Sequence, residues 1–290
     1  MNYAIVQWNR VSRRHCCPVC DHPDWCLFAG PASSPDAAIC ARVESHTRCG
    51  DAGWLHRLRD DWRDRPHKRR VDVRGPAEPA VDFGAMAAQW EEALDTARRR
   101  VLAAELGVTA DSLSRLQVGW SECHRSYTFP MRDRAEDGTA CGIRLRRPDG
   151  GKWAVRGSRN GLFVPRHFPV SESLVICEGA SDTAAMLMLG FNAVGRPSCS
   201  GGVGLIVDLV QYHHFLDVMI VADRDAPGQR GARYLAARLV GYVPRGVRIV
   251  TPPTKDAREW VRSGATRTHI LDAIEASPTL TLTYSRRALA

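Results

Sequence analysis

Two apolar runs that end in acidic residues decide the fold of this chain. The first reads Leu174-Val175-Ile176-Cys177-Glu178-Gly179, and the second reads Val218-Met219-Ile220-Val221-Ala222-Asp223-Arg224-Asp225. Each run has the length and apolar character of a buried strand. In open α/β sheets, ligands bind at the edge formed by the carboxyl ends of parallel strands. We therefore expect Glu178, Asp223 and Asp225 to lie together at that edge.

Three carboxylates at one sheet edge predict a divalent metal site. They would repel one another unless cations neutralised them, and carboxylate oxygens suit Mg²⁺ or Mn²⁺. Such ions polarise phosphoryl oxygens and activate a hydroxyl nucleophile. A single acid at the end of a strand is common, because acids often begin the following helix. A strand that ends in Glu-Gly, followed about 45 residues later by a strand that ends in Asp-x-Asp, is a far more specific indication of a metal site.

Strands and helices alternate through the rest of the C-terminal segment. Strands are predicted over 174–177, 192–194, 218–222 and 247–250, and helices over 181–189, 201–214, 228–239, 257–261 and 268–276. This alternation predicts a parallel sheet with helices on both faces. Asp182 opens the first of these helices, as a cap or as a group behind the metal ligands. Lys255 and Asp256 follow the last predicted strand.

The preceding segment has a different pattern. Apolar residues recur at helical spacing from Phe83 to Leu102, and Thr109 is suited to cap a second, short helix. Short strands are then predicted over 127–131, 141–146 and 153–155, with turns between them. These features indicate a mixed α/β segment.

The N-terminal segment is rich in cysteine. Of the ten cysteines in the chain, six precede residue 50. Cys17-Pro18-Val19-Cys20 forms a CxxC pair, and Cys26 and Cys40 can complete four thiolates around a structural Zn²⁺. Competing ligands are His15, Cys16, His46 and Cys49. The aromatic residues of this segment either stack on nucleic-acid bases or pack the small module: Trp8, Trp25, Trp54 and His56.

Basic residues are concentrated between the predicted helices and the first acidic strand. Residues 138–170 hold seven arginines and lysines against one acid, Asp149. Alternation along a strand places Arg144 and Arg146 on one face, which suits a phosphate backbone or a nucleotide triphosphate. The candidate contacts are Arg144, Arg146, Lys152, Arg156, Arg159 and Lys255. The other interpretation is the solvated surface of an arginine-rich protein, since the chain has only three lysines among its 40 basic residues.

The acidic motifs resemble the Toprim domain of primases, topoisomerases and some nucleases. In that family the Glu and the Asp-x-Asp pair bind catalytic Mg²⁺, which implies this role for Glu178, Asp223 and Asp225. Lys255-Asp256 is similar to a later Toprim feature that supports the nucleotide or metal site. The order of a cysteine-rich module, a mixed α/β segment and a Toprim domain resembles bacterial, phage and plasmid primases.

The resemblance implies an α/β multidomain chain. We expect a zinc-ribbon-like module at 1–65, a charged linker at 66–82, the N-terminal part of a primase core at 83–170, and a Toprim domain with a Rossmann-like parallel sheet and C-terminal helices at 171–290. The same resemblance implies that the protein synthesises RNA primers from ribonucleoside triphosphates on a single-stranded DNA template. Without a GxxxxGK[ST] phosphate loop the chain has no recognisable helicase motor, so we expect a separate helicase or initiator as a partner.

Two other functions use the same residues. A Toprim nuclease would hydrolyse nucleic acid with the same carboxylates, and a zinc-containing binding protein would not use them catalytically. A topoisomerase is disfavoured because Tyr127, Tyr212, Tyr234 and Tyr242 are expected to be packing residues. No apolar run approaches the roughly 20 residues of a membrane span and no signal peptide is recognisable, so a cytoplasmic protein is expected.

Overall fold

The computed structural model describes residues 8–59, 81–134, 138–168 and 171–282. The chain separates into two compact units, residues 1–78 and 79–290. The predicted linker at 66–82 lies almost entirely outside the described residues, so its character stays a prediction.

A small antiparallel sheet forms the first unit. Its strands pair in chain order: β1 (Trp8–Arg10), β2 (Leu27–Ala29), β3 (Ala37–Cys40) and β4 (Trp54–Arg57). The main buried apolar cluster contains Val11 and Phe28 together with Cys17, Cys26 and Cys40. Cysteines thus supply much of a core that is too small to hold the unit by apolar burial alone. This is the zinc-ribbon-like module that the sequence predicts.

Three helices open the second unit: α1 (Phe83–Glu92), α2 (Thr96–Leu106) and α3 (Ala110–Arg115). Thr109 caps α3 as predicted, accepting a hydrogen bond from the Ser112 N–H at 3.2 Å. The expectation of one helical run from 83 to 102 is wrong. Asp95 adopts an extended backbone and accepts a hydrogen bond from the Arg98 N–H at 2.7 Å, so a new helix begins there.

An antiparallel sheet follows the three helices, with its strands in chain order: β5 (Gly119–Ser121), β6 (Ser126–Arg132), β7 (Ala140–Arg146) and β8 (Lys152–Ala154). The three predicted strands are β6, β7 and β8, whereas β5 is an addition. Leu145 and Ile143 are buried while Arg144 and Arg146 are partly exposed, which confirms the alternation along β7.

The largest sheet has the order β10-β9-β11-β12-β13, from strands β9 (Ser173–Glu178), β10 (Ala193–Arg196), β11 (Asp217–Val221), β12 (Val247–Val250) and β13 (Thr279–Leu280). The first four are parallel, as predicted. The sheet is not wholly parallel, because the short edge strand β13 runs antiparallel to β12. It follows the last helix directly and covers the β12 edge.

Both faces of this sheet are covered by helices, which are α4 (Ala180–Met188), α5 (Val203–His213), α6 (Ala226–Leu239), α7 (Ala257–Arg262) and α8 (Arg267–Ala276). One apolar cluster joins α4, α7 and α8 to α2 and α3, while the other joins α5 and α6. No described helix combines the length and the apolar character that crossing a membrane requires.

The structure corrects the expectation that the tyrosines are packing residues. Tyr127 is buried in the antiparallel sheet, but Tyr212, Tyr234 and Tyr242 are exposed by 71%, 53% and 47%. They therefore do not pack the core. None of the three lies at the carboxyl edge of the largest sheet, where a cavity is lined by Glu178 and Asp223, so their exposure does not make them nucleophiles of that site.

Candidate functional site

Three of the predicted acidic residues lie at the carboxyl edge of the largest sheet. Glu178 is the last residue of β9, and Asp223 lies two residues beyond the end of the adjacent strand β11. Asp225 is the N-cap of α6, where it accepts a hydrogen bond from the Gly228 N–H at 2.8 Å. The parallel arrangement of β9 and β11 brings these residues to one edge, as the sequence predicts.

Two further carboxylates approach from neighbouring helices. Asp182 lies in the first turn of α4, is 6% exposed, and accepts a hydrogen bond from the Arg258 N–H at 2.9 Å. Asp256 is the N-cap of α7 and accepts from the Glu259 N–H at 2.7 Å. The contact between Asp182 and the start of α7 fixes the two helices together, so their carboxylates face the same region.

A cavity of about 350 Å³ lies in this region. It is lined by acidic residues from the sheet edge and helix starts and by basic residues from β7, β8 and the start of α7: Glu178, Asp182, Asp223, Asp256, Arg144, Arg146, Lys152, Lys255 and Arg258. Asp225 is not in this lining. The cavity thus combines carboxylate oxygens, which are the type of group that binds divalent cations, with cationic groups of the type that bind phosphates.

Crowding of the carboxylates alters their protonation. Burial, with Glu178 and Asp182 next in importance, raises the pKa of Asp223 to about 8. Burial and Asp256 raise the pKa of Asp182 to about 7, against the lowering effect of the Arg258 N–H. Burial also raises the pKa of Glu178, and Arg196 opposes this shift. A cluster whose acids resist ionisation together is one that a divalent cation would stabilise.

The predicted basic contacts separate into two groups. Arg144 and Arg146 line the cavity but already have partners, which are Asn160 Oδ1 at 3.2 Å and Glu105 Oε1 at 2.6 Å. Lys152 and Lys255 also line it. Arg156 and Arg159 are exposed and do not contribute to the lining, and Arg159 faces Asp133 at 3.6 Å.

Arg196 is a charged residue of the site that the sequence analysis did not identify. It is the last residue of β10, pairs in register with Glu178 on β9, and is 2% exposed. Within the described part of the chain, its Nε and Nη1 atoms have no hydrogen-bond partner. A buried guanidinium with unpaired N–H groups is costly, so the adjacent carboxylates are its main electrostatic compensation.

In the first unit the four predicted cysteines come together. The Sγ atoms of Cys17, Cys20, Cys26 and Cys40 all lie within 4.8 Å of one another. The Cys20–Cys26 and Cys26–Cys40 sulfur distances are 3.8 and 3.9 Å. Sulfurs around tetrahedral zinc, at about 2.3 Å from the metal, lie about 3.8 Å apart. The donor set and its spacing therefore fit Zn²⁺.

Backbone N–H groups point at the same sulfurs. Ala41 N–H donates to Cys26 Sγ at 3.4 Å, and Val43 N–H donates to Cys40 Sγ at 3.2 Å. Burial raises the pKa of Cys26 to about 12, whereas hydrogen bonds from the His22 backbone and Cys17 outweigh burial and lower the pKa of Cys20 to about 7. A metal that displaced their protons would convert thiols of such different acidity to thiolates together.

The competing ligands do not join this group. Within residues 8–59, the cluster contains none of His15, Cys16, His46 and Cys49. Trp25 is 82% exposed, so the interpretation that it packs the module is wrong. Trp54 is partly buried beneath the Arg48 guanidinium, and Trp8 packs on the small cluster of Ala29 and Ala37. His56 is half-buried and bonded to the Val43 carbonyl at 3.0 Å.

Comparison with known proteins gives matches by structure. No protein-family model and no curated protein sequence matches the chain. A structure of the DnaG catalytic core matches with a TM-score of 0.54 at 15% identity, over 68% of this chain and 79% of that chain. The E. coli primase catalytic core matches with a TM-score of 0.53 at 15% identity, over 68% and 80%. The DnaG primase catalytic domain bound to ssDNA matches with 0.52 at 15%, over 68% and 80%.

This chain has the fold of a primase catalytic core. The likeness confirms the fold class that the acidic motifs predicted, although at 15% identity it establishes the fold alone. In this primase-type core, the residues missed from the sequence are Arg196 and Arg258. Their positions in the sequence could have indicated both residues. Arg196 ends the strand beside Glu178, and Arg258 follows Lys255-Asp256 by two residues.

Proposed function

We propose that this protein is a DNA primase that makes short RNA primers on single-stranded DNA by metal-dependent nucleotidyl transfer. The observation that carries the proposal is the placement of Glu178 and Asp223 at adjacent parallel strand ends, in one cavity with basic residues. The primase-type fold around that cavity supports the same function. One similar protein is a DnaG domain bound to ssDNA, which supports single-stranded DNA as the template.

Each group of residues has a chemical task in this proposal. Glu178, Asp223 and Asp225 hold Mg²⁺ or Mn²⁺, with Asp182 and Asp256 behind them as further negative charge. The divalent ions supply charge stabilisation at the phosphoryl group and lower the pKa of the attacking 3′-hydroxyl. Lys152, Lys255 and the arginines of β7 hold the nucleotide phosphates and the template backbone.

The start of α6 holds the side chain of Asp225 in place. One of its oxygens caps the helix at Gly228, which fixes the side chain and leaves the other oxygen free for a cation. The turn after β9 is equally constrained, because Gly179 has a φ of +84°, which disfavours residues with a side chain. Both turns hold the acidic residues in place before any ligand binds.

The zinc module has a structural and a binding task. A four-cysteine site leaves no open position for water, so its zinc would stabilise the module rather than catalyse. The exposed indole of Trp25 is suited to stacking on a template base. Ribonucleoside triphosphates are the proposed substrates, and a separate helicase or initiator is the proposed partner.

Primer synthesis from single-stranded templates and labelled ribonucleotides, with Mg²⁺ or Mn²⁺, tests the proposal. The Asp223→Ala/Asp225→Ala variant is compared with Asp208→Ala/Asp272→Ala, which removes two exposed helix carboxylates elsewhere in the second unit. We expect short oligomers from the wild type and the control and none from the site variant. Degradation of the template without synthesis would indicate the Toprim nuclease instead. If the protein showed neither synthesis nor degradation, on varied templates and with a helicase added, both enzymatic functions would be contradicted.

A further inference from the structure

Helix α6 carries a basic face that the proposed function does not use. Arg230, Arg233, Tyr234 and Arg238 are all exposed, and their spacing of three, four and eight residues places them on one side of the helix. We call these four residues the α6 basic face. The opposite side, which includes Leu235 and Leu239, is buried against the sheet. The α6 sequence contains no acidic residue from Ala226 to Leu239.

The three arginines of this face have no ion-pair partner among the residues that the structure describes. Within the same ranges, none of them donates a side-chain hydrogen bond. Some other arginines of this unit are engaged: Arg146 with Glu105 at 2.6 Å, Arg166 with Glu91 at 2.8 Å, and Arg245 with Asp217 at 3.1 Å. Exposed arginines that also have no ion pair among the described residues, such as Arg100, Arg125 and Arg134, do not share one helix face. Eight residues of helix separate Arg230 from Arg238, which is about 12 Å. Three uncompensated guanidinium groups over this distance have the charge and spacing that suit a polyanion such as a phosphate backbone.

We propose that the α6 basic face binds single-stranded DNA, as a strand path that begins at the acidic edge of the sheet. Helix α6 starts directly after Asp225, so the face leads away from the proposed catalytic carboxylates. Its guanidinium groups contact phosphates, and Tyr234, which is 53% exposed, stacks on a base. The identification of the bound strand as template DNA rests on the proposed function, but the binding itself needs neither metal nor nucleotide.

The composition of the face favours nucleic acid over a protein partner. Protein interfaces bury an apolar centre, whereas this face offers one aromatic ring among arginines. Arginine planes and an aromatic ring are the groups with which single-strand binding proteins follow a backbone and stack its bases. An acidic peptide would use the charges but would gain little from Tyr234.

The test measures the affinity of the full chain for a fluorescent oligodeoxynucleotide over a range of salt concentrations, without divalent metal or nucleotide. The variant Arg230→Gln/Arg233→Gln/Arg238→Gln keeps good helix formers in α6. Its matched control, Arg100→Gln/Arg125→Gln/Arg134→Gln, removes the same charge from exposed arginines elsewhere in the second unit. We expect the α6 variant to bind at least tenfold more weakly and its salt slope to fall by about 2, from three lost contacts at roughly 0.7 each.

Three results would overturn the inference. The first is a salt slope in the α6 variant equal to that of the wild type, and the second is an equal loss in the control, which would mean that binding follows total charge. Tyr234 gives a separate check, since Tyr234→Phe should bind like the wild type and Tyr234→Ala about tenfold more weakly. The third result is competition by poly-glutamate as effective as that by unlabelled oligodeoxynucleotide, which would assign the α6 basic face to an acidic protein. An Asp223→Asn/Asp225→Asn variant should retain this binding, so failure of primer synthesis and failure of the α6 face are distinguishable.

Discussion

Asp223 has a carboxyl group whose ionisation opposes the folded state when no metal is bound. Burial and the neighbouring carboxylates raise its pKa from 3.8 to about 8. A group with a folded-state pKa above its unfolded value binds its proton more tightly in the folded protein. The stability that it contributes is complete below about pH 4 and is lost progressively as the pH rises to 8. The ionised carboxyl group therefore destabilises the folded state at neutral pH when no cation is bound.

The first prediction is that Asp223→Asn stabilises the protein in buffer without Mg²⁺ or Mn²⁺ at pH 8. An amide mimics the protonated acid, so the gain should be about 1–2 kcal/mol after allowance for solvent screening, and should vanish near pH 4. Urea unfolding of the wild type and the variant at pH 4, 6 and 8 measures it. In Mg²⁺ the order should reverse, because only the wild type gains stability by binding the ion. A gain that did not depend on pH would contradict the assigned cause.

Arg196 and Glu178 supply the second prediction. Because Arg196 is buried beside Glu178 on the adjacent strand, each charge compensates the other. Arg196→Met should therefore destabilise the wild type more than it destabilises a Glu178→Gln background. We expect a coupling free energy of about 1–2 kcal/mol in a double-mutant cycle at pH 8. If the two effects added to within about 0.5 kcal/mol, the two residues would not interact.

Among the secondary-structure elements, the junction of β11 and α6 is the most constrained. A Cβ atom on Gly228 would lie 2.7 Å from the Asp223 carbonyl oxygen and 2.8 Å from its Cβ. Helix α6 can thus approach the Asp-x-Asp turn closely only because residue 228 has no side chain. The start of α6 therefore helps to fix the position of Asp223, one of the proposed metal ligands.

The third prediction follows from that close approach. Gly228→Ala should displace Asp223 and weaken Mn²⁺ binding at least tenfold. The electron paramagnetic resonance of the free ion measures this binding, and an unchanged circular dichroism spectrum shows that the variant remains folded. Gly204→Ala is the matched control, because a Cβ at position 204 of α5 meets nothing within 4 Å. It should leave Mn²⁺ binding unchanged and alter stability by less than about 1 kcal/mol. Equal Mn²⁺ affinity in both variants would show that α6 does not set the position of Asp223.

The same elements show what the sequence could predict. Strands β9 and β11 were recognisable because a buried parallel strand is a continuous apolar run, and acids directly after two such runs indicate a ligand site at the sheet edge. The break at Asp95 was hidden, because apolar residues on both sides continue the helical spacing while the cap depends on the conformation of one residue. Arg196 was hidden because burial of a single arginine depends on which strand pairs with which. Exposure of Tyr234 was hidden because a tyrosine is compatible with either side of a helix.

In the whole molecule, the two units differ in what holds them together. The second unit has two large apolar clusters, one on each face of its main sheet. The first unit has a small cluster in which three of the five buried members are the cysteines Cys17, Cys26 and Cys40. Without a metal these thiols offer little apolar area, so the fold of the first unit should depend on zinc and that of the second should not.

The fourth prediction is that zinc chelation unfolds the first unit alone. Hydrogen exchange followed by mass spectrometry should show loss of amide protection across residues 8–59 in a zinc chelator, and unchanged protection across β9, β11 and α6. Cys40→Ser should lose the one bound zinc per chain, whereas Cys49→Ser should retain it, because Cys49 lies outside the cluster of sulfurs. Zinc retained by Cys40→Ser would show that another ligand set holds the ion. Parallel loss of protection in the second unit would show that the two units fold as one, and that the small core of the first unit is not the reason for its dependence on metal.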